Sequence, residues 1–98
     1  MAYPTLTDAA EMVGMAPPTL SRLPELVYIH AGGRDHRIPA GEVLRLTRYF
    51  RRRSIEDVAF DLVAYCDVHA PEVAETVAAE VDAAVATFYQ AAGPPEPV

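Results

Sequence analysis

Glycine and proline divide this chain unevenly, and that division limits the elements it can form. Gly14, Pro17, Pro18, Pro24, Gly32, Gly33 and Pro39 punctuate the first forty residues, whereas residues 42–70 contain neither type. Segments between such breaks have room for a helix of about two turns or a short strand, so longer helices belong to the second half. The expected fold class is mainly α with a small β-hairpin.

Thr5 heads the first helix. In the stretch TLTD its hydroxyl is placed to cap, and Asp8 holds the third helical position, where a capping-box acid reaches back. Leu6, Ala9, Ala10 and Val13 supply an apolar face, and Gly14 a left-handed stop. Pro17 and Pro18 then open a second short helix of Thr19, Leu20, Ser21, Arg22 and Leu23, which Pro24 stops. Two such helices joined by a glycine-containing turn follow the helix-turn-helix pattern, which ordinary helical cores also use. Leu26, Val27, Tyr28, Ile29 and His30 have strand composition. Gly32 and Gly33 suit a hairpin turn, and His36, Arg37 and Ile38 return as a second strand before Pro39 leaves the ladder.

From Ala40 the apolar period is helical: Val43, Leu46, Thr47 and Phe50 share one side. Arg45, Arg48 and Arg52 fall within about 60° of each other on the opposite side, with Tyr49 adjacent. Ser54 caps a further helix, with Asp57 three residues on, and Ile55, Val58, Ala59, Leu62 and Val63 hold its apolar spacing. Residues 66–70 are expected to form a short connection. Pro71 and Glu72 open a last helix whose apolar stripe is Val73, Val77, Val81, Val85 and Phe88, with Glu75, Glu80 and Asp82 on its other face. Residues 93–98, rich in proline, are expected to form a flexible tail.

Charge is more unevenly spread than the formal −6 of the 98 residues implies. All eight cations are arginines between Arg22 and Arg53, and against the five acids of residues 1–53 they leave a net of +3. Residues 54–98 carry nine acids and no cation. Such a split points to a basic half for an anionic partner and an acidic half for something else; solvation of helix faces is the plainer alternative. A single cysteine cannot form an internal disulfide, no apolar run approaches the roughly 20 residues of a membrane span, and the N-terminus has no signal-peptide pattern. A soluble, cytoplasmic protein is expected, with no membrane partner. At this length, homodimerisation is an added source of stability.

No enzyme constellation stands out. His30, His36 and His69 lack zinc-ligand spacing, so neither a metal nor a cofactor is expected. Cys66 lies in an apolar helical run and reads as core. Gly32 and Gly33 precede Arg-Asp rather than a helix bearing Lys-Ser, which argues against a nucleotide-cradling loop and a small-molecule substrate. Nucleic-acid binding fits better. Thr19, Ser21 and Arg22 are donors sized for base edges in the major groove. Arg34, His36 and Arg37 on the ribbon suit phosphates or a minor groove, and Arg45 and Arg48 suit the backbone.

These residues resemble a family. TLTDAAEMVGMAPPTLSRL is similar to the N-terminal helix-turn-helix of MerR-like and excisionase-like winged-helix proteins, matching at Thr5, Asp8, Ala10, Gly14, Thr19, Leu20 and Arg22. Met15 replaces the usual valine, and Ala16 the serine that caps the second helix. Losing that cap costs about 1 kcal/mol, which Pro17 partly offsets. GGRDHRIPAGEVLRL resembles the wing and the helix after it, with two more residues between the glycines and His36. The rest resembles a small helical domain of type II (VapB-like) antitoxins, which are paired with PIN-like ribonuclease toxins. Arg37, Ile38, Pro39, Ser54, Glu56, Val58, Ala59, Val81, Ala84 and Tyr89 carry that match, with Asp35 and His36 in place of the usual Gly-Thr.

The resemblances imply a winged helix-turn-helix over residues 1–39 and two or three helices over residues 40–92 that bind a partner or dimerise. The leading expectation is a DNA-binding antitoxin that represses its own operon and neutralises a ribonuclease-type toxin. Its partners would be operator DNA, a PIN-like toxin and a second copy. The alternative is a stand-alone MerR-like or excisionase-like regulator that dimerises through Val73, Val77, Val81, Val85 and Phe88. A third is an adaptor whose helix-turn-helix no longer binds DNA.

Overall fold

The computed structural model describes residues 2–30 and 36–92, and it is mostly helical, as the periodicities predict. Helices α1 (Leu6–Val13) and α2 (Pro17–Ser21) precede two antiparallel strands, β1 (Ile29–His30) and β2 (His36–Arg37). Helix α3 (Ala40–Phe50) and helix α4 (Ile55–His69) follow, then a 3-10 turn at Pro71–Val73 and helix α5 (Ala74–Ala92). The expected glycine turn of the ribbon and the expected tail lie outside the described residues. Among the described residues, no helix is long and apolar enough to cross a membrane.

Local signals set most boundaries. Thr5 Oγ1 accepts the Asp8 N–H at 3.1 Å, and Ser54 Oγ accepts the Asp57 N–H at the same distance. Gly14 ends α1 at φ +87°, where an L side chain is strained, and a Cβ there would come within 3.3 Å of Arg52 Cβ. Ala16 offers no side-chain cap to α2, whose first turn begins at Pro17.

Four expected boundaries are corrected. Helix α2 stops at Ser21 and does not reach Leu23, because a residue preceding proline is pushed out of helical geometry. The strand expected from Leu26 pairs only at Ile29–His30. The earlier amides are used elsewhere: Leu26 N–H bonds the Leu23 carbonyl at 3.3 Å, and Val27 N–H bonds Glu42 Oε2 at 2.8 Å. Ile38 likewise leaves the ladder, its N–H meeting the Pro4 carbonyl at 3.0 Å. Residues 66–69 are not a connection but the last turn of α4. Cys66 continues the buried Val58–Leu62 spacing and is wholly buried, its thiol donating to the Ala70 carbonyl at 3.4 Å. Burial pushes that thiol's pKa up. The helix ends at His69, and its cap Ala70, before Pro71, leaves helical geometry at φ −153° and ψ 63°.

One apolar core runs through both halves. Ala9, Val13, Leu20, Ile38, Val43, Leu44, Val58 and Cys66 are completely buried, and Leu62, Val77 and Val81 nearly so. Burying each leucine or valine contributes about 1.5–3 kcal/mol. The regions divided near residue 39 in the sequence therefore share a single interior. Tyr3 adds a polar tie, its hydroxyl bonded to Glu80 of α5 at 2.5 Å. Burial and then that carboxylate push the tyrosine's pKa up to about 12.

Candidate nucleic-acid interface

The arginines expected to meet DNA fall into two groups once folded. On α2, Thr19 and Ser21 are exposed, as is Arg22 at its C-terminal cap. The Ser21 hydroxyl donates to the Pro18 carbonyl at 3.0 Å, which leaves its oxygen able to accept. On the solvent side of α3 stand Arg45, Arg48 and Tyr49, and Tyr49 is 75 % exposed. Helix α3 turns this face outward because Val43, Leu44, Leu46 and Thr47 are buried on the other.

The arginines of α3 are not equivalent. Arg45 is held by Glu42, Nε to Oε1 at 2.5 Å and Nη2 to Oε2 at 2.9 Å. Glu42 is itself 6 % exposed, and the same carboxylate takes the Val27 amide. Burial alone would raise its pKa; the bonds from Arg45 and Val27 outweigh burial and leave it lowered. The Arg45 charge is thus largely answered from within. Arg48 has its guanidinium carbon 5.7 Å from the centre of the Phe88 ring, a cation–π contact to α5 that leaves the cation open to water. Arg51 caps α3 in the left-handed region at φ +56°, where a non-glycine residue is uncommon, and is exposed.

Arg45, Arg48, Tyr49, Arg51 and Phe88 together line a groove of about 470 Å³. A smaller one of about 180 Å³ is lined by Leu23, Pro24, Glu25, Arg45, Leu46, Tyr49 and Phe50. Arg45 and Tyr49 wall both, so the outer face of α3 adjoins the segment that follows α2. Guanidinium groups beside an exposed aromatic ring can bind phosphate while the ring packs on a sugar or base.

Two expected arginines do not join this surface. Arg37 is half-buried, its Nη1 donating to the Tyr3 carbonyl at 3.2 Å and the Tyr65 hydroxyl at 3.1 Å. It ties β2 to the N-terminus and α4, an internal role that its place in the sequence does not show. Burial and the Asp8 carboxylate raise the pKa of that Tyr65 hydroxyl, and Arg37 opposes them. Arg52 falls beyond the end of α3 and lies against Gly14 rather than extending the Arg45–Arg48 stripe. Arg34 lies outside the described residues. His36 is half-buried with its ring 4.9 Å from that of Tyr28.

The partner stripe is also corrected. Val77 and Val81 are 4 % and 1 % exposed within the single chain, so they serve its own core and cannot form a dimer seam. Val85 and Phe88 pack half-buried against that core, and Val73 stands in the 3-10 turn before the helix. Period alone marks an apolar stripe without saying whether its cover comes from the same chain. Tyr49, Arg51 and Phe88 were the groove members not singled out for DNA. The adjacency of Tyr49 to Arg45 and Arg48 was readable on a helical wheel, whereas Phe88 arrives from α5 by tertiary packing. Comparison with family models, curated proteins and solved structures gives no match to this chain.

Proposed function

We propose that the chain is a DNA-binding antitoxin that represses its own operon and neutralises a cognate ribonuclease-type toxin in the cytoplasm. In this reading α1, the Gly14 turn and α2 are a helix-turn-helix, and β1 and β2 are the base of a wing. The observation that carries it is the concentration of exposed polar and cationic side chains on and at the ends of α2 and α3, Thr19, Ser21 and Arg22 with Arg45, Arg48, Tyr49 and Arg51, against nine acids and no cation in residues 54–98. A chain of net −6 charge that meets DNA must concentrate its cations, since each phosphate neutralised releases a counterion. Burial of Val77 and Val81 weighs against the alternative of a regulator whose last helix is only a dimer seam.

The test is fluorescence anisotropy with a duplex from the chain's own promoter and a random duplex of equal length. The promoter is expected to bind at least tenfold more tightly, with affinity falling steeply with salt, and Arg22→Ala is expected to reduce the preference. Equal affinity for both duplexes in wild type and variant would sink the reading. Growth arrest on expressing the neighbouring gene alone, relieved by this chain, tests the antitoxin half.

A further inference from the structure

The face of α4 turned away from the core carries large apolar side chains among its acids. Val58, Leu62 and Cys66 point inward. Opposite them Phe60, Ala64 and Val68 recur at i, i+4 and i+8, and Phe60 and Val68 are 74 % and 76 % exposed. Eight residues at about 1.5 Å each spread this stripe over roughly 12 Å, two turns of a facing helix. Ala64 at its centre lets another backbone approach closely.

The stripe ends in a groove of about 510 Å³ between α1 and α4, where Ala64 and Val68 share the lining with Asp8, Glu11, Met12 and Asp61. Arg53, Tyr65 and His69 complete that lining, and Arg53 is held by Asp61 at 2.6 Å and by the Met12 carbonyl at 3.0 Å. Asp57 and Asp67 are exposed on the same helix. Apolar anchors with an acidic border select the occupant. A second copy packed antiparallel on this face would bring acid against acid, a juxtaposition that opposes association. A partner that buries Phe60 and Val68 while placing cations over Glu11 and Asp61 satisfies both features.

We infer that the α4 face and its α1 groove are the docking surface for a cationic amphipathic helix of a partner protein. The inference rests on the proposed division between a DNA-binding and a partner-binding half, and it moves the partner surface from α5 to α4.

The probe is a synthetic 18-residue helical peptide with leucines at i, i+4 and i+7 flanked by arginines, beside a twin with glutamates in place of the arginines. The arginine peptide is expected to bind and the glutamate twin not to. Phe60→Ser and Val68→Ser, both at exposed positions, are each expected to weaken binding at least tenfold. Asp61→Asn is expected to weaken it a few-fold and flatten its salt dependence, and Asp82→Asn on α5 to leave it unchanged. Binding indifferent to Phe60→Ser and Val68→Ser, or lost equally in Asp82→Asn, overturns the inference. So does a wild-type dimer in sedimentation equilibrium that Phe60→Arg converts to monomer, because a second copy would then be the occupant. Promoter affinity measured on the same variants separates the two claims: its absence in wild type counts against the antitoxin reading, while the peptide series judges the α4 face.

Discussion

Helices α3 and α4 are neighbours that pack into one core and present opposite chemistry to water. Each buries an aliphatic stripe, Val43, Leu44 and Leu46 on α3 and Val58, Leu62 and Cys66 on α4. Outside, α3 shows Arg45, Arg48 and Tyr49, and α4 shows Phe60, Val68, Asp57 and Asp61. Their ion pairs differ as well. Glu42 of α3 is almost fully buried and fastens Arg45 and the Val27 amide, whereas the Arg53–Asp61 pair at α4 has a third of each side chain in water. The shared core leaves the outer faces of both helices free. What a helix does for folding and what it offers to a partner are set by different positions along the same few turns.

The largest effect is expected in the core that the two helices share. Leu62→Ala is expected to destabilise the whole chain by about 2–5 kcal/mol, since the side chain is nearly fully buried and the site cannot collapse around the gap. Chemical denaturation followed by circular dichroism should show one cooperative transition; two transitions would mean that the halves have separate cores.

The two ion pairs predict unequal costs. Glu42→Ala leaves the Val27 N–H without its acceptor and is expected to cost about 1–3 kcal/mol. Because the folded Glu42 carboxyl sits below its ordinary value, its contribution is complete above the unfolded carboxylate pKa and declines as pH falls through the folded one. A wild-type denaturation series under acid should therefore fall away faster than that of Glu42→Gln. Asp61→Asn, at a solvated pair, should cost under about 1 kcal/mol. Equal losses at the two sites would remove the distinction drawn between them.

On the basic side, Arg22→Ala is expected to lower promoter affinity by about 5- to 150-fold, the range of a lost bidentate base contact, without changing the denaturation midpoint. Arg37→Ala sharpens the contrast in the other direction. Its loss should reduce stability by about 1–3 kcal/mol through the Tyr3 and Tyr65 contacts while leaving the salt slope of DNA binding as it was.

Features decided within a few residues were legible in the sequence. Thr5 with Asp8, Ser54 with Asp57, and Gly14 act through bonds or backbone angles inside one turn, and each cap is where its pattern places it. Period also marked Val43, Leu46 and Thr47 of α3 and Val58 and Leu62 of α4 as inward, but not Glu42 and Leu44, which tertiary packing buries too. Features decided across the fold were not legible. Arg37 looked like a ribbon-tip cation because nothing nearby in the chain marks Tyr65 as its neighbour 28 positions on. Val77 and Val81 looked like a seam because the apolar spacing of a helix is the same whether a sister chain or α4 covers it. The last turn of α4 was hidden by Asp67 and His69, polar residues that face water on a helix that Cys66 keeps in the core.

The central claim is that DNA binding belongs to the α2–α3 surface and not to the α4 face. Promoter-duplex affinity measured against salt concentration, for wild type, Arg22→Ala with Arg48→Ala, and Asp61→Asn with Phe60→Ser, tests it in one plot. Slopes of log affinity against log salt are predicted to be steep for wild type, shallower by roughly one unit for each arginine that meets a phosphate, and as steep as wild type for the α4 pair. A wild-type slope near zero, or one that the α4 pair flattens and the arginine pair does not, would contradict it.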